Sequence, residues 1–131
     1  MNISSHSRNR IMKTFSKWHV PKDFADPMYN YLVYGYNPGG CFTSVLANDF
    51  QGAIARSHPA NTIEAFKALA GWIGNTMPRE AFGSYQAVDD WCYLIEGARR
   101  VILEEHELIY TAKEELFMTI KEPSPREIEL F

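Results

Sequence analysis

Tyr36, Gly39, Gly40, Arg56 and His58 are the residues whose types and spacing could hold a small anion. In "YGYNPGGCFTSVLANDF", residues 34–50, a Pro-Gly-Gly turn leads into a helical run. Such a start presents free N–H groups and the positive end of the helix dipole. Arg56 and His58, just ahead of another helix start, would add cationic donors, and Tyr36 a stacking face. The pattern is neither GxGxxG nor GxxxxGK with a following Ser or Thr, and no strand pattern precedes it. A sharp corner between two helices needs the same residues, so both readings stay open. Asn48-Asp49 likewise reads as a ligand pair or as a helix cap.

Catalytic patterns are absent. There is no GxSxG elbow, and His6, His19, His58 and His106 share no ligand spacing with each other or with Cys41 and Cys92. No metal, no cofactor and no enzymatic activity are expected. Asp89-Asp90 falls in the first turns of a helix, where acids complement the dipole.

The elements that must position these residues are helical. The chain has 131 residues, 46% apolar and 22% charged, which suits one folded domain. Net charge is −3 but unevenly spread. Residues 1–22 carry five basic residues (Arg8, Arg10, Lys13, Lys17 and Lys22) and no acid, whereas residues 101–131 carry eight acids against three bases. Opposite ends can attract one another, join two subunits or recruit a charged partner. No global field favours nucleic acid. Two isolated cysteines point to a reducing compartment, and no apolar run is long enough for a membrane span. A cytosolic location follows as the expectation.

The pattern predicts three parts: a basic N-terminal arm at 1–22, a helical domain at 23–120 and a C-terminal tail at 121–131. Within the arm, "RIMKTFSKWHV" fits either an extended segment or a short helix with Ile11, Phe15 and Trp18 on one side. Asp26-Pro27 reads as a helix start, with Gly35 closing that helix. Pro38-Gly39 reads as the centre of a type II turn. Phe42, Val45 and Leu46 then point inward, and Asp49 caps a fresh helix. Asn61 with Glu64 has the form of a capping box ahead of the stripe Ile63, Phe66, Leu69, Ala70 and Ile73. Ser84 reads as the next cap.

From there Val88, Ile95, Ile102, Ile109 and Leu116 recur every seven residues. They predict a compact helical domain with one long C-terminal helix, about Tyr85 to Ile120 and roughly 54 Å long. The alternative is a kink near Gly97. A helix that long projects beyond the domain, so Ile102, Ile109 and Leu116 become the expected interface of a homo-oligomer.

One span is familiar. Gly39-Gly40 then Phe42, Val45-Leu46, Asn48-Asp49, Asn61, Pro78, Phe82-Gly83-Ser84, and Val88 with Trp91 resemble the shared core of a group of small uncharacterised tailed-bacteriophage proteins. Cys41 is inserted before Phe42, Phe82 replaces a Trp, and His58 stands in place of an Asp. The resemblance covers about residues 36–91. It implies a phage origin, the host cytoplasm as the site of action and no established activity. Together these readings predict an accessory binding protein that inhibits a host factor or sequesters a small nucleotide signal, as in counter-defence. The alternative is a structural or assembly protein that oligomerises through its C-terminal helix.

Overall fold

Ser4 starts the first helix: its Oγ accepts from the Ser7 N–H at 3.1 Å, satisfying one free donor of the first turn. The computed structural model describes residues 3–121, with side chains up to residue 118. Helix α1 spans Ser5–Lys17, α2 Lys22–Tyr34, α3 Gly40–Leu46 and α4 Phe50–Arg56. Helix α5 spans Ile63–Thr76, followed by a 3₁₀ turn at Arg79–Ala81, then α6 Tyr85–Tyr93, α7 Glu96–Glu105 and α8 Ala112–Lys121. The fold is mainly α, and no strand occurs among the described residues.

Residues 5–17 are a core helix, not part of an extended arm. Ser7, Ile11 and Phe15 recur every four residues and are buried. Phe15 stacks on Trp72 at 4.4 Å, and the Trp72 indole N–H donates to Thr14 Oγ1 at 2.8 Å. Trp18 lies across Gly71 of α5, where an added Cβ would come within 3.1 Å of the indole.

Helix α2 is the centre of the core. It begins at Lys22 after Pro21, not at Asp26-Pro27, and carries Pro27 inside. The early start buries Phe24, which packs edge-on to Phe42 at 5.0 Å and stacks on Phe66 at 5.7 Å. That burial offsets the backbone bond Pro27 cannot make. Tyr31, Leu32 and Val33 are consecutive and fully buried, so the end of α2 is covered on every side. The Tyr31 hydroxyl donates to the Ala81 carbonyl at 2.6 Å, and the Trp91 indole N–H donates to the Tyr31 carbonyl at 3.0 Å.

Asp49 and Ser84 cap α4 and α6 as expected, accepting from the N–H groups of Gly52 and Ala87 at 3.0 Å each. The cap of α5 is Thr62, not Asn61: its hydroxyl accepts from the Ala65 N–H at 3.1 Å, while the Asn61 N–H turns back to the His58 carbonyl.

The long C-terminal helix does not form. Leu94 and Ile95 take extended ψ angles of 142° and 152°, three residues before Gly97, and the chain restarts as α7. Arg99 sits at the break. It is 3% exposed, and its guanidinium donates to the carbonyls of Val33 and Leu94. In a continuous helix the Leu94 carbonyl would accept from the Ala98 N–H. Here it is released, and α7 folds back onto the end of α2. A second stop follows at Glu107, which has φ 57°. The Leu108 N–H bonds to the Leu103 carbonyl and the Glu107 N–H to the Glu104 carbonyl, a Schellman motif. The residues beyond 121, expected as a tail, lie outside the described part of the chain.

Candidate functional site

The corner at residues 36–42 is built around Gly39, whose φ of 96° and ψ of 168° fall in a region open essentially to glycine. The positive φ was expected, but a type II turn would put ψ near 0°. The Asn37 side chain shapes the corner instead, its Oδ1 accepting from the Gly39 N–H at 2.9 Å. The chain then enters α3 with Val45 and Leu46 buried and Phe42 half-buried against the core.

Arg56 and Gly40 do come together: a Cβ on Gly40 would lie 3.3 Å from Arg56 Cδ. Yet the Arg56 guanidinium, on a side chain that is 54% exposed, is tied to protein through Nη1. Its Nη1 donates to Ser44 Oγ at 2.7 Å and stands 3.9 Å from Asp49 Oδ2. The Tyr85 hydroxyl is 3.1 Å from Ser44 Oγ and donates to Asp49 Oδ2 at 2.5 Å. Arg56 can only donate and an ionised Asp49 can only accept, so the two hydroxyl protons must point from Arg56 toward Asp49. The Tyr85 hydroxyl, the Gly52 N–H and, more weakly, Arg56 hold the Asp49 carboxyl below its ordinary value. Ser44 is 1% exposed, out of reach of a substrate. The cluster therefore acts as a latch that ties α3, α4 and α6. Sequence reading took Asp49 as a cap but missed Ser44 and Tyr85, because nothing local links residues 36 positions apart.

His58 is not drawn into that cluster by any hydrogen bond: its Nδ1 accepts from the Ala60 N–H at 3.0 Å, within its own loop. Tyr36 ends an aromatic series that climbs from the core to the surface. Arg8 lies over the Tyr29 ring at 4.7 Å, Tyr29 meets Tyr34 edge-on at 6.2 Å, and Tyr34 stacks on the exposed Tyr36 at 5.5 Å. Burial, and the neighbouring Tyr34, push the Tyr29 hydroxyl above its ordinary pKa.

The expected interface residues share no face. Ile109 is 1% exposed inside this chain's own core, Ile102 is half-buried against that core, and Leu116 is 62% exposed. With the helix broken twice, a repeat of seven no longer keeps one side.

A concavity that the sequence did not reveal lies on the outer face of α1. His6, Asn9, Arg10, Met12, Lys13 and Ser16 line it, with Tyr110 from the loop before α8, and its volume is about 420 Å³. Burying Ser7, Ile11 and Phe15 forces these intervening residues outward. Arg10 sits over the Tyr110 ring at 4.5 Å. The Tyr110 N–H donates to Ser7 Oγ at 3.0 Å, and Ser7 Oγ donates to Glu115. Ser4 Oγ and Arg100 Nη2 also donate to Glu115, at 3.1 and 2.9 Å. Burial pushes the Glu115 carboxyl up, but hydrogen bonds from Ser7, Arg100 and Ser4 outweigh it and hold the pKa below the ordinary value. This clasp fixes Tyr110 beside α1. Among the described residues no carboxylate lines the concavity, although Glu114 is near enough for Arg10 to help lower its pKa. The signal in the sequence was Arg10 and Lys13, three residues apart in an acid-free stretch.

Burial raises the pKa of both Cys41 and Cys92, so neither thiol is poised as a thiolate. Among the described residues no three His, Cys, Asp or Glu side chains gather as a metal site, and no helix is long and apolar enough to cross a membrane. Comparison with protein-family models, with curated proteins and with solved structures gives no match for this chain.

Proposed function

We propose that this chain is a bacteriophage accessory binding protein that inhibits a host factor, gripping an acidic surface of it with the basic face of α1. The observation that carries the reading is the Arg10–Lys13–Tyr110 concavity, which sets cationic donors of α1 beside an aromatic ring from the loop before α8 and, among the described residues, is lined by no carboxylate. Arg and Tyr suit a protein interface because each joins contact area to fixed donors. The phage setting and the host cytoplasm rest on the resemblance of residues 36–91. A host protein fits better than a small nucleotide: the concavity is open, whereas small-ligand sites enclose most of the ligand. Arg56, the other cationic anion candidate, donates into the latch through Nη1.

The test is capture from host lysate by the tagged chain. Wild-type protein retains a partner that Arg10→Glu with Lys13→Glu loses, and added salt weakens the retention. Circular dichroism checks that the variant stays helical. Equal capture by the variant rejects the reading, and thermal stabilisation by a mono-, di- or cyclic nucleotide would favour sequestration of a signal.

A second reading, an assembly protein, is favoured by Tyr93 and Ile95, which are 86% and 76% exposed at the α6–α7 junction. Light scattering that finds an oligomer dispersed by Ile95→Lys supports it.

A further inference from the structure

A groove on a different side of the molecule runs between α3, α5 and the loop after the 3₁₀ turn. Two hollows of about 310 and 510 Å³ share Gly74, Phe82 and Gly83 and so form one channel. The first is apolar, with Val45, Ile73 and Phe82 on its walls and Asn48 at its rim. The second is polar and carries Arg79 and His106.

Three features set the chemistry of what fits. First, the shared glycines leave the channel floor open: a Cβ on Gly74 or Gly83 would meet nothing within 4 Å. A chain can thus lie close to the backbone. Gly83 is fixed there by φ 113° and by its N–H bond to the Leu46 carbonyl at 2.8 Å. Second, Asn48 is held in the left-handed region at φ 64° with its side chain exposed. Its amide makes no hydrogen bond among the described residues, so a donor and an acceptor both face outward, as pairing with a peptide backbone requires. Third, the polar end is cationic. His106 stands 3.8 Å from Glu80, but Arg79 has no carboxylate partner among the described residues.

We propose that this groove binds an extended segment of another protein, with a large apolar side chain in the Val45–Ile73–Phe82 hollow and a carboxylate on Arg79. Asn48 pairs with the backbone between them. The choice of a peptide over a compact ligand rests on the two hollows adjoining at Gly74, Phe82 and Gly83, on those open glycines and on the amide at the rim. The acidic requirement rests on charge complementarity with Arg79. This site is separate from the α1 concavity and stands or falls without it.

The experiment is selection of a yeast-displayed library of short random peptides against the whole chain. Enriched sequences pair a Leu, Ile, Met or aromatic residue with a nearby Asp or Glu. A selected peptide binds Arg79→Glu at least about tenfold more weakly, and its Lys-for-acid counterpart recovers affinity for that variant. Arg79 is exposed, so the variant keeps its fold, and Arg10→Glu leaves the affinity unchanged. Amide shifts at Asn48, Gly74 and Gly83 place the peptide. Enriched peptides without an acid, equal binding to Arg79→Glu, or shifts confined to α1 overturn the proposal. So do loss of the site through self-association and equal displacement of these amides by decanoate.

Discussion

A Cβ on Gly35 would lie 2.7 Å from Arg99 Nη1, so the glycine that ends α2 is also the space in which a buried guanidinium sits. Gly35 has φ 69°, a conformation that costs a residue with a Cβ about 1–2 kcal/mol. Displacing Arg99 would also strip its donors from the carbonyls of Val33 and Leu94. Those carbonyls lie at the ends of two helices, where the dipole favours a cation.

Gly35→Ala is therefore expected to lower stability by roughly 2–5 kcal/mol, the backbone cost plus an unsatisfied buried acceptor. Urea denaturation measures it. Arg99→Met should cost a similar amount, because it leaves both carbonyls without a donor. An exposed glycine with negative φ, Gly97, serves as the control, and Gly97→Ala should not destabilise.

The helix ends explain much of what the sequence hid. Asp49, Ser84 and the positive φ of Gly39 were legible because capping and glycine chemistry are local. Three other chain reversals use non-glycine residues in the left-handed region: His19, Asn48 and Glu107. The reversals at His19 and Glu107 carry buried apolar residues, Val20 and Leu108, just beyond. Tertiary burial stabilises them there, and nothing in a residue's own type announces it. The same holds for the site. The five bases of the first 22 residues were visible, but the placing of Arg10 and Lys13 beside Tyr110 depends on a clasp between residues about 100 positions apart.

That clasp should respond to acid. The folded pKa of Glu115 is lowered, so its contribution is present above the unfolded value of 4.5 and is lost as pH falls through the folded value. Around the carboxylate stand Ser4, Ser7 and Arg100, with Glu104 paired to Arg100 at 2.8 Å. The protection of the amides of Tyr110 and α8, taken relative to their intrinsic exchange rates, is expected to fall below pH 4.5, ahead of global unfolding. In Glu115→Gln the exchange is fast already at neutral pH and its acid dependence flattens. An α8 whose protection is unchanged across this pH range in the wild type would refute the role of this carboxylate.

The latch at Ser44 makes a prediction about coupling. Tyr85→Phe removes two hydroxyl contacts and should cost about 1 kcal/mol. Arg56→Ala removes the donor at the other end of the same chain of hydrogen bonds. The double variant should lose less than the sum of the two, because both act through Ser44. Gly52→Ala should be at least as damaging as either, since its Cβ would lie 2.3 Å from Asp49 Oδ2. Additive losses would mean that the two ends are independent.

Ile109 and Leu116, seven residues apart, separate a core position from a surface one. A continuous helix would give them one face, so that acidic substitutions at either would disperse an oligomer and leave the fold intact. The structure puts Ile109 in the core cluster at 1% exposure and leaves Leu116 at 62%. Ile109→Ala is expected to cost about 2–5 kcal/mol, the loss of buried methylenes plus the cavity that remains. Leu116→Ala should change stability by less than about 0.5 kcal/mol, as surface substitutions do. Ile109→Asp should unfold the chain outright, because a carboxylate there has no water and no cation to meet. Circular dichroism through a urea titration reads all three. A folded, stable Ile109→Asp variant would restore the long helix and place that side chain back at the surface.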